Sequence, residues 1–234
     1  MLSCFGASVR GPDHQQPGLP NQDAWLLRTT ATGSVAVVAD GLGSARHAQF
    51  GARAACKAGQ ETARLVRRSG VAPTVHTIEV LRAIWHHLVA PTGIEHCGTT
   101  CLFALIDREG LLFVAQVGDG IVAIRRADRH VTILQANEKP FQNTTGTIAS
   151  VAAEDWSAMC AIQLMPGDTL LMATDGIADD LEMSRLGDFI GHLSAEYLPM
   201  PAIKRAAAMR RALVHWPTKH HRDDKTLVVI ARTM

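Results

Sequence analysis

The sequence carries almost no net charge: 23 Lys and Arg stand against 22 Asp and Glu, a formal balance of +1. Such a surface offers no strong field to nucleic acid or an anionic membrane. No apolar run approaches the ~18 residues of a membrane span, and Met1 to Arg10 lacks the apolar core of a secretory leader. The five cysteines are odd in number, scattered and without a Cys-x-x-Cys, so they read as reduced thiols of a cytoplasmic protein. His96, Cys97 and Cys101 have no spaced fourth ligand, which argues against zinc. There is no internal repeat and no low-complexity segment. What is present is apolar: 47% of the chain, enough for a sizeable core. No break in composition divides it, so residues 1–234 read as one domain.

The chain is organised around Val35-Ala36-Val37-Val38-Ala39-Asp40-Gly41-Leu42-Gly43-Ser44. Five small or β-branched apolar residues predict a strand buried on both faces, ending abruptly on a carboxylate. Glycine after Asp40 lets the carbonyl turn toward the same point and accept unusual backbone angles, and Ser44 can cap a helix. Asp-Gly is also an ordinary turn. The other carboxylates decide between the two.

In order, Leu2 to Val9 predicts a strand, Gly11 to Asp23 a loop, and Ala24 to Arg28 a second strand. A helix over Ala45 to Arg68 carries Phe50, Ala54, Ala58 and Leu65 as its apolar stripe. Another over Thr74 to Val89 places Ile78, Leu81, Ile84, Trp85 and Leu88 on a core face. Thr99 to Ile106, Leu111 to Val117, Ile121 to Arg126 and His130 to Leu134 then read as a four-stranded meander. Gln135 to Thr145 reads as loop, followed by apolar stretches at Ile148 to Val151 and Met159 to Leu164. Thr169 to Ala173 is a second buried strand, again ending on Asp175-Gly176. Met183 to Trp216 is helical, with Lys204, Arg205, Arg210 and Arg211 as its solvated face. Asp223 and Asp224 lead into a last strand, Thr226 to Ala231, after His220 and His221. Strands cluster early and in the middle, with helical pairs between, an α+β pattern of helices outside and sheets inside.

Carboxylates therefore fall at strand termini five times, at Asp23, Asp40, Asp119, Asp175 and Asp223. Brought into one cleft they would repel and raise one another's pKa values. Divalent cations are the natural compensation, and all-oxygen donors favour Mg²⁺ or Mn²⁺ over zinc.

On these residues the sequence resembles the metal-dependent type 2C serine/threonine protein phosphatases. Asn21-Gln22-Asp23 is similar to their Asn-Glu-Asp motif, and Asp40-Gly41-Leu42-Gly43 to their Asp-Gly-x-Gly. Gly98-Thr99-Thr100 and Gly118-Asp119 follow, the latter before a hairpin. Pro166-Gly167-Asp168 with Thr174-Asp175-Gly176 and Asp179, then Asp223-Asp224-Lys225-Thr226, complete six motifs in the family's order.

The resemblance implies a four-layer α-β-β-α sandwich, two central and mostly antiparallel sheets flanked by helix pairs, with metals at one end. It implies hydrolysis of phosphoserine and phosphothreonine in proteins by a water held between two Mn²⁺ or Mg²⁺ ions. Asp40 would bridge the two, the Gly41 carbonyl would bind one, and Asp175 and Asp223 the other. Asp23 would hold metal-bound water, and Asp119 with Asp179 would sit near a third, weaker site. The partners would be phosphorylated proteins opposing a Ser/Thr kinase, met by a monomer.

Two departures stand out. Gln22 replaces the family's Glu, removing a charge. The usual phosphate-binding Arg is Gly18 here; the loop offers Arg10 and His14, resembling a shorter bacterial branch with the form Ser-x-x-Gly-x-x-His. These departures support an alternative, a weak or inactive relative that binds metal or a signalling partner. A two-metal hydrolase of small phosphate esters is the third reading.

Overall fold

The computed structural model describes residues 1–134, 145–216 and 222–233. The predicted loop at 135–145, except Thr145, and the His220-His221 lead-in lie outside the described residues. The strands are β1 (Leu2–Val9), β2 (Ala24–Thr30), β3 (Gly33–Ala39), β4 (Cys101–Asp107) and β5 (Leu111–Val117). They continue as β6 (Ile121–Arg125), β7 (Val131–Leu134), β8 (Ser157–Gln163), β9 (Thr169–Ala173) and β10 (Lys225–Arg232). The helices are α1 (Pro12–Gln15), α2 (Ala48–Ser69), α3 (Val75–Val89), α4 (Asp175–Ala178), α5 (Leu186–Tyr197) and α6 (Ala202–Val214).

Two antiparallel sheets form, in the orders β2-β3-β4-β5-β8 and β1-β10-β9-β6-β7. Alternation along β3 shows how they stack. Val35, Val37 and Ala39 face one core, shared with Ala52, Ala55, Ile78, Leu81 and Trp85 of α2 and α3. Ala36 and Val38 face the opposite way, into a middle core with Leu102, Met172, Val228 and Ile230 from both sheets. A third core joins β1, β6, β9 and β10 to α5 and α6. Three apolar cores between four layers give the expected α-β-β-α sandwich. Met183 to Trp216 thus supplies the outer helical layer on the second sheet.

Four expectations about local structure need correction. The four-stranded meander does not exist as one sheet: β4 and β5 belong to the first, β6 and β7 to the second. The Gly118-Asp119-Gly120 corner is where the chain changes sheets, with Gly118 in the left-handed region at φ +98°. Hydrophobic alternation marks strands but carries no label for the sheet they join.

Ser44 does not begin a helix. α2 starts at Ala48 after His47, with no side-chain cap. Its stripe is also different, for Phe50 and Leu65 are exposed while Gly51, Ala52, Ala55, Ala58 and Gly59 are buried. Small residues win because the helix lies close to the sheet. A Cβ on Gly59 would stand 2.5 Å from Val37 Cγ2, and one on Gly51 would run into the Cys97 carbonyl.

The fourth correction concerns Arg205. It is buried, donating to the Leu198 and Met200 carbonyls beyond α5 and to Ser3 Oγ and the Cys4 carbonyl of β1. Five guanidinium donors make it suited to such a junction. Lys204, Arg210 and Arg211 are exposed as anticipated.

Gly51→Ala tests the close approach. Overpacking against a fixed backbone costs about 3 kcal/mol, and the gain in helix propensity offsets about 1 kcal/mol. A net loss of about 2 kcal/mol, a Tm lower by about 4–8 °C in thermal unfolding, is expected. An unchanged Tm would contradict the tight α2 packing.

Candidate metal centre and active site

Antiparallel register gathers the motif residues at one end of the molecule. Ala24 pairs with Ala39, so the start of β2, carrying Asp23, lies beside the end of β3, carrying Asp40. Cys101 pairs with Val117, placing Thr99 and Thr100 near the Gly118 corner. In the second sheet Ala173 pairs with both Ile121 and Leu227, and Val9 with Lys225. Asp119, Asp175, Asp223 and residues 10–11 therefore reach the same end.

They surround a cleft of about 150 Å³ whose lining includes Asp40, Gly41, Asp119, Asp175, Asp223, Gln22 and His14. Asp40 is held through its backbone: its N–H donates to Thr100 Oγ1 (3.0 Å), and its carbonyl accepts from Thr99 Oγ1 (2.7 Å) and Thr100 N–H (2.8 Å). This gives the Gly-Thr-Thr motif a concrete job. Gly41 is needed for space rather than for unusual angles, because a Cβ there would stand 2.6 Å from the backbone of Ala48. Asp119 accepts from Thr145 Oγ1 at 2.8 Å.

Asp23 lies behind the cleft, buried, with Oδ2 accepting from Thr174 Oγ1 at 2.9 Å. Burial pushes its carboxyl up to about 7, with the Asp224 charge adding to the shift. Burial also drives Asp40 well above the ordinary carboxylate range, reinforced by the charges of Asp23, Asp175 and Asp223. The repulsion anticipated from the sequence is present in this geometry.

The donor set fits a hard divalent cation. Every cleft carboxylate is an oxygen donor, Asp40, Asp119, Asp175 and Asp223 share the one cleft, and Gln22 Oε1 and Asp23 Oδ1 are buried without a hydrogen-bond donor. Asp179 and Arg10 are not among the cleft-lining residues. Asp179 is exposed at the C-terminal end of α4, and the Arg10 guanidinium donates to the Leu19 carbonyl at 2.9 Å.

Sequence reasoning passed over the role of Asp224. It is buried and does not line the cleft. Its Oδ1 accepts from Gly11 N–H at 2.7 Å and its Oδ2 from Gln22 N–H at 2.6 Å. His14 Nδ1 lies 2.9 Å from the same Oδ2 and 3.6 Å from Asp223 Oδ1. Nδ1 makes no aligned hydrogen bond, so this is a close polar contact that becomes an ion pair when the ring is protonated. Both neighbouring carboxylates meet the same ring, the ligand atoms of His14, Asp223 and Asp224 lying within 4.8 Å of one another, and the adjacent Asp223-Asp224 pair was the only signal the sequence offered.

The described residues contain no helix long and apolar enough to cross a membrane, and all five cysteines are free thiols. Many solved structures share the fold, PppA, MsPP and RsbX among them. PppA, described as a key regulatory component of T6SS in Pseudomonas aeruginosa, superposes with TM-score 0.68 at 17% identity, covering 98% of this chain and 97% of its own. The PPM Ser-Thr phosphatase MsPP from Mycobacterium smegmatis, in complex with cacodylate, gives 0.65 at 20% identity over 98% and 97%. RsbX in complex with magnesium gives 0.63 at 13% identity over 98% and 94%. A comparison with curated proteins found no sequence match. The sequence profile described as Protein phosphatase 2C matches residues 10–216, and the chain belongs to that family.

Proposed function

We propose that this protein is a metal-dependent phosphatase of phosphoserine and phosphothreonine in proteins, with residues 1–234 acting as one catalytic domain. The observation that carries the reading is the cleft where Asp40, Asp119, Asp175 and Asp223 converge from both sheets. Family membership supports protein phosphatase activity and metal dependence. Two Mg²⁺ or Mn²⁺ ions, when bound, supply charge neutralisation and an activated water.

Asp40, the Gly41 carbonyl, Asp175 and Asp223 would hold the two ions, with Asp119 and Asp179 serving a weaker third site. Asp23 orders the water side of the cleft from behind Asp40. His14 at the rim contacts the incoming phosphate, with Arg10 further out on the same loop. The leaving group is the serine or threonine alkoxide of the substrate, and no residue of this chain is phosphorylated on the way. The setting we propose is cytoplasmic, as a monomer opposing a Ser/Thr kinase.

Phosphopeptide dephosphorylation with Mn²⁺ and with EDTA tests this directly. Turnover that requires Mn²⁺ and exceeds that of nucleotides supports the reading. No turnover of phosphopeptide or p-nitrophenyl phosphate at saturating Mn²⁺ would leave the inactive, partner-binding alternative, which Gln22 in the cleft favours. Gln22→Glu restores a negative charge there and is expected to lower the Mn²⁺ needed for half-maximal activity by about tenfold, since ligand charge sets affinity. An unchanged Mn²⁺ requirement would remove Gln22 from the metal environment.

A further inference from the structure

One buried carboxylate holds both ends of the loop that carries His14. Gly11 opens the loop and Gln22 closes it, and each donates its N–H to a different oxygen of Asp224, at 2.7 and 2.6 Å. The approach is close throughout. A Cβ on Gly11 would collide with the backbone of Asp223, and Asp13 N–H donates to the Arg222 carbonyl at 3.2 Å. Arg222 Nε returns to Asp13 Oδ1 at 3.1 Å. His14, one residue further on, comes within 2.9 Å of Asp224 Oδ2.

We propose that Asp224 is a positioning residue for substrate binding: it clasps residues 11–22 into a closed loop and sets His14 and Gln22 against the cleft, without itself lining it. Its two oxygens already serve two backbone donors, which separates it from Asp223, its cleft-lining neighbour. A neutral amide cannot replace it. Asn offers one acceptor oxygen, and its NH₂ would face the N–H of the other loop end. Charge-assisted bonds to backbone N–H groups are also the stronger kind. With Nδ1 turned toward Asp224, Nε2 is the ring atom left for the cleft.

The kinetic arm of the test rests on the phosphatase reading, and the exchange arm does not. In the wild-type protein, amide hydrogen exchange should show Gly11 and Gln22 as the slowest amides of residues 11–22. Asp224→Asn should speed exchange across 11–22 by about tenfold or more while β3 and β9 keep their protection. With Mn²⁺ present, KM for a phosphopeptide should rise about tenfold with kcat changed much less. His14→Ala should then raise KM less in the Asp224→Asn background than in wild type, because the two act through one contact.

Fast exchange at Gly11 and Gln22 in the wild type overturns the clasp even if Asp224→Asn does not fold. So does wild-type-like exchange in a folded Asp224→Asn. A large fall in kcat with unchanged KM would instead place Asp224 among groups that act on the reacting atoms. Should wild-type protein turn over no phosphopeptide, the function fails while the exchange data still decide the clasp.

Discussion

Asp40→Asn should lower kcat for a phosphopeptide about a thousandfold at saturating Mn²⁺, and it should raise the Tm of the chelator-treated protein. The first effect follows from the loss of one oxygen donor and one charge at the centre of the cleft, where electrostatic contributions of this size are usual. The second follows from geometry. Burial and the charges of Asp23, Asp175 and Asp223 already disfavour an ionised Asp40, so a neutral isostere relieves the folded state. The backbone bonds to Thr99 and Thr100 do not involve the side chain and should survive. Opposite signs in activity and stability distinguish a functional carboxylate from a structural one. A variant that retains near wild-type turnover, or one whose chelated form is less stable, would remove Asp40 from the centre.

Mn²⁺ is expected to stabilise the wild-type protein strongly. At ~100-fold above Kd the linkage gain is about 2.7 kcal/mol, which for a chain of this size raises Tm by about 5–10 °C. The pH dependence in chelator has a definite sign. Asp23, with its carboxyl at about 7, holds a proton in the folded state over a range where the unfolded chain has lost it. The folded state then binds more protons, so stability falls as pH rises from about 4 to 7. Mn²⁺ should flatten that fall. Thermal melts at several pH values, with EDTA or Mn²⁺, measure both effects. A Tm indifferent to metal and rising through this window would mean that the carboxylates do not act on one another as placed here.

Much of this was legible in the sequence because the relevant features are local. Val35 to Ala39 declares a doubly buried strand, and Asp40 and Asp175 declare its kind of ending twice. What could not be read is what depends on distant partners. Arg205 looks like a surface cation until Leu198, Met200 and β1 surround it. The small residues of α2 look like a weak stripe until the sheet comes within contact of Gly51 and Gly59. The pattern Ser-x-x-Gly-x-x-His falls on Ser8, Gly11 and His14, yet only the fold shows what each does. Ser8 Oγ lies 2.8 Å from Asn21 Nδ2 and 2.7 Å from Thr226 Oγ1, Gly11 leaves room for Asp223, and His14 meets Asp224.

The change of sheets at Gly118-Asp119-Gly120 makes the middle core a ruler for the cleft. Asp40 rides on the first sheet and Asp175 and Asp223 on the second, while Asp119 stands on the corner between them. The width of the carboxylate gap is therefore set by how far apart the sheets stand. Small Ala36 and Ala104 face larger Leu170, Met172 and Ile230 in that core. An added methyl group at Ala36 would act as a shim, spreading two rows of charge that no residue at the cleft itself could adjust together.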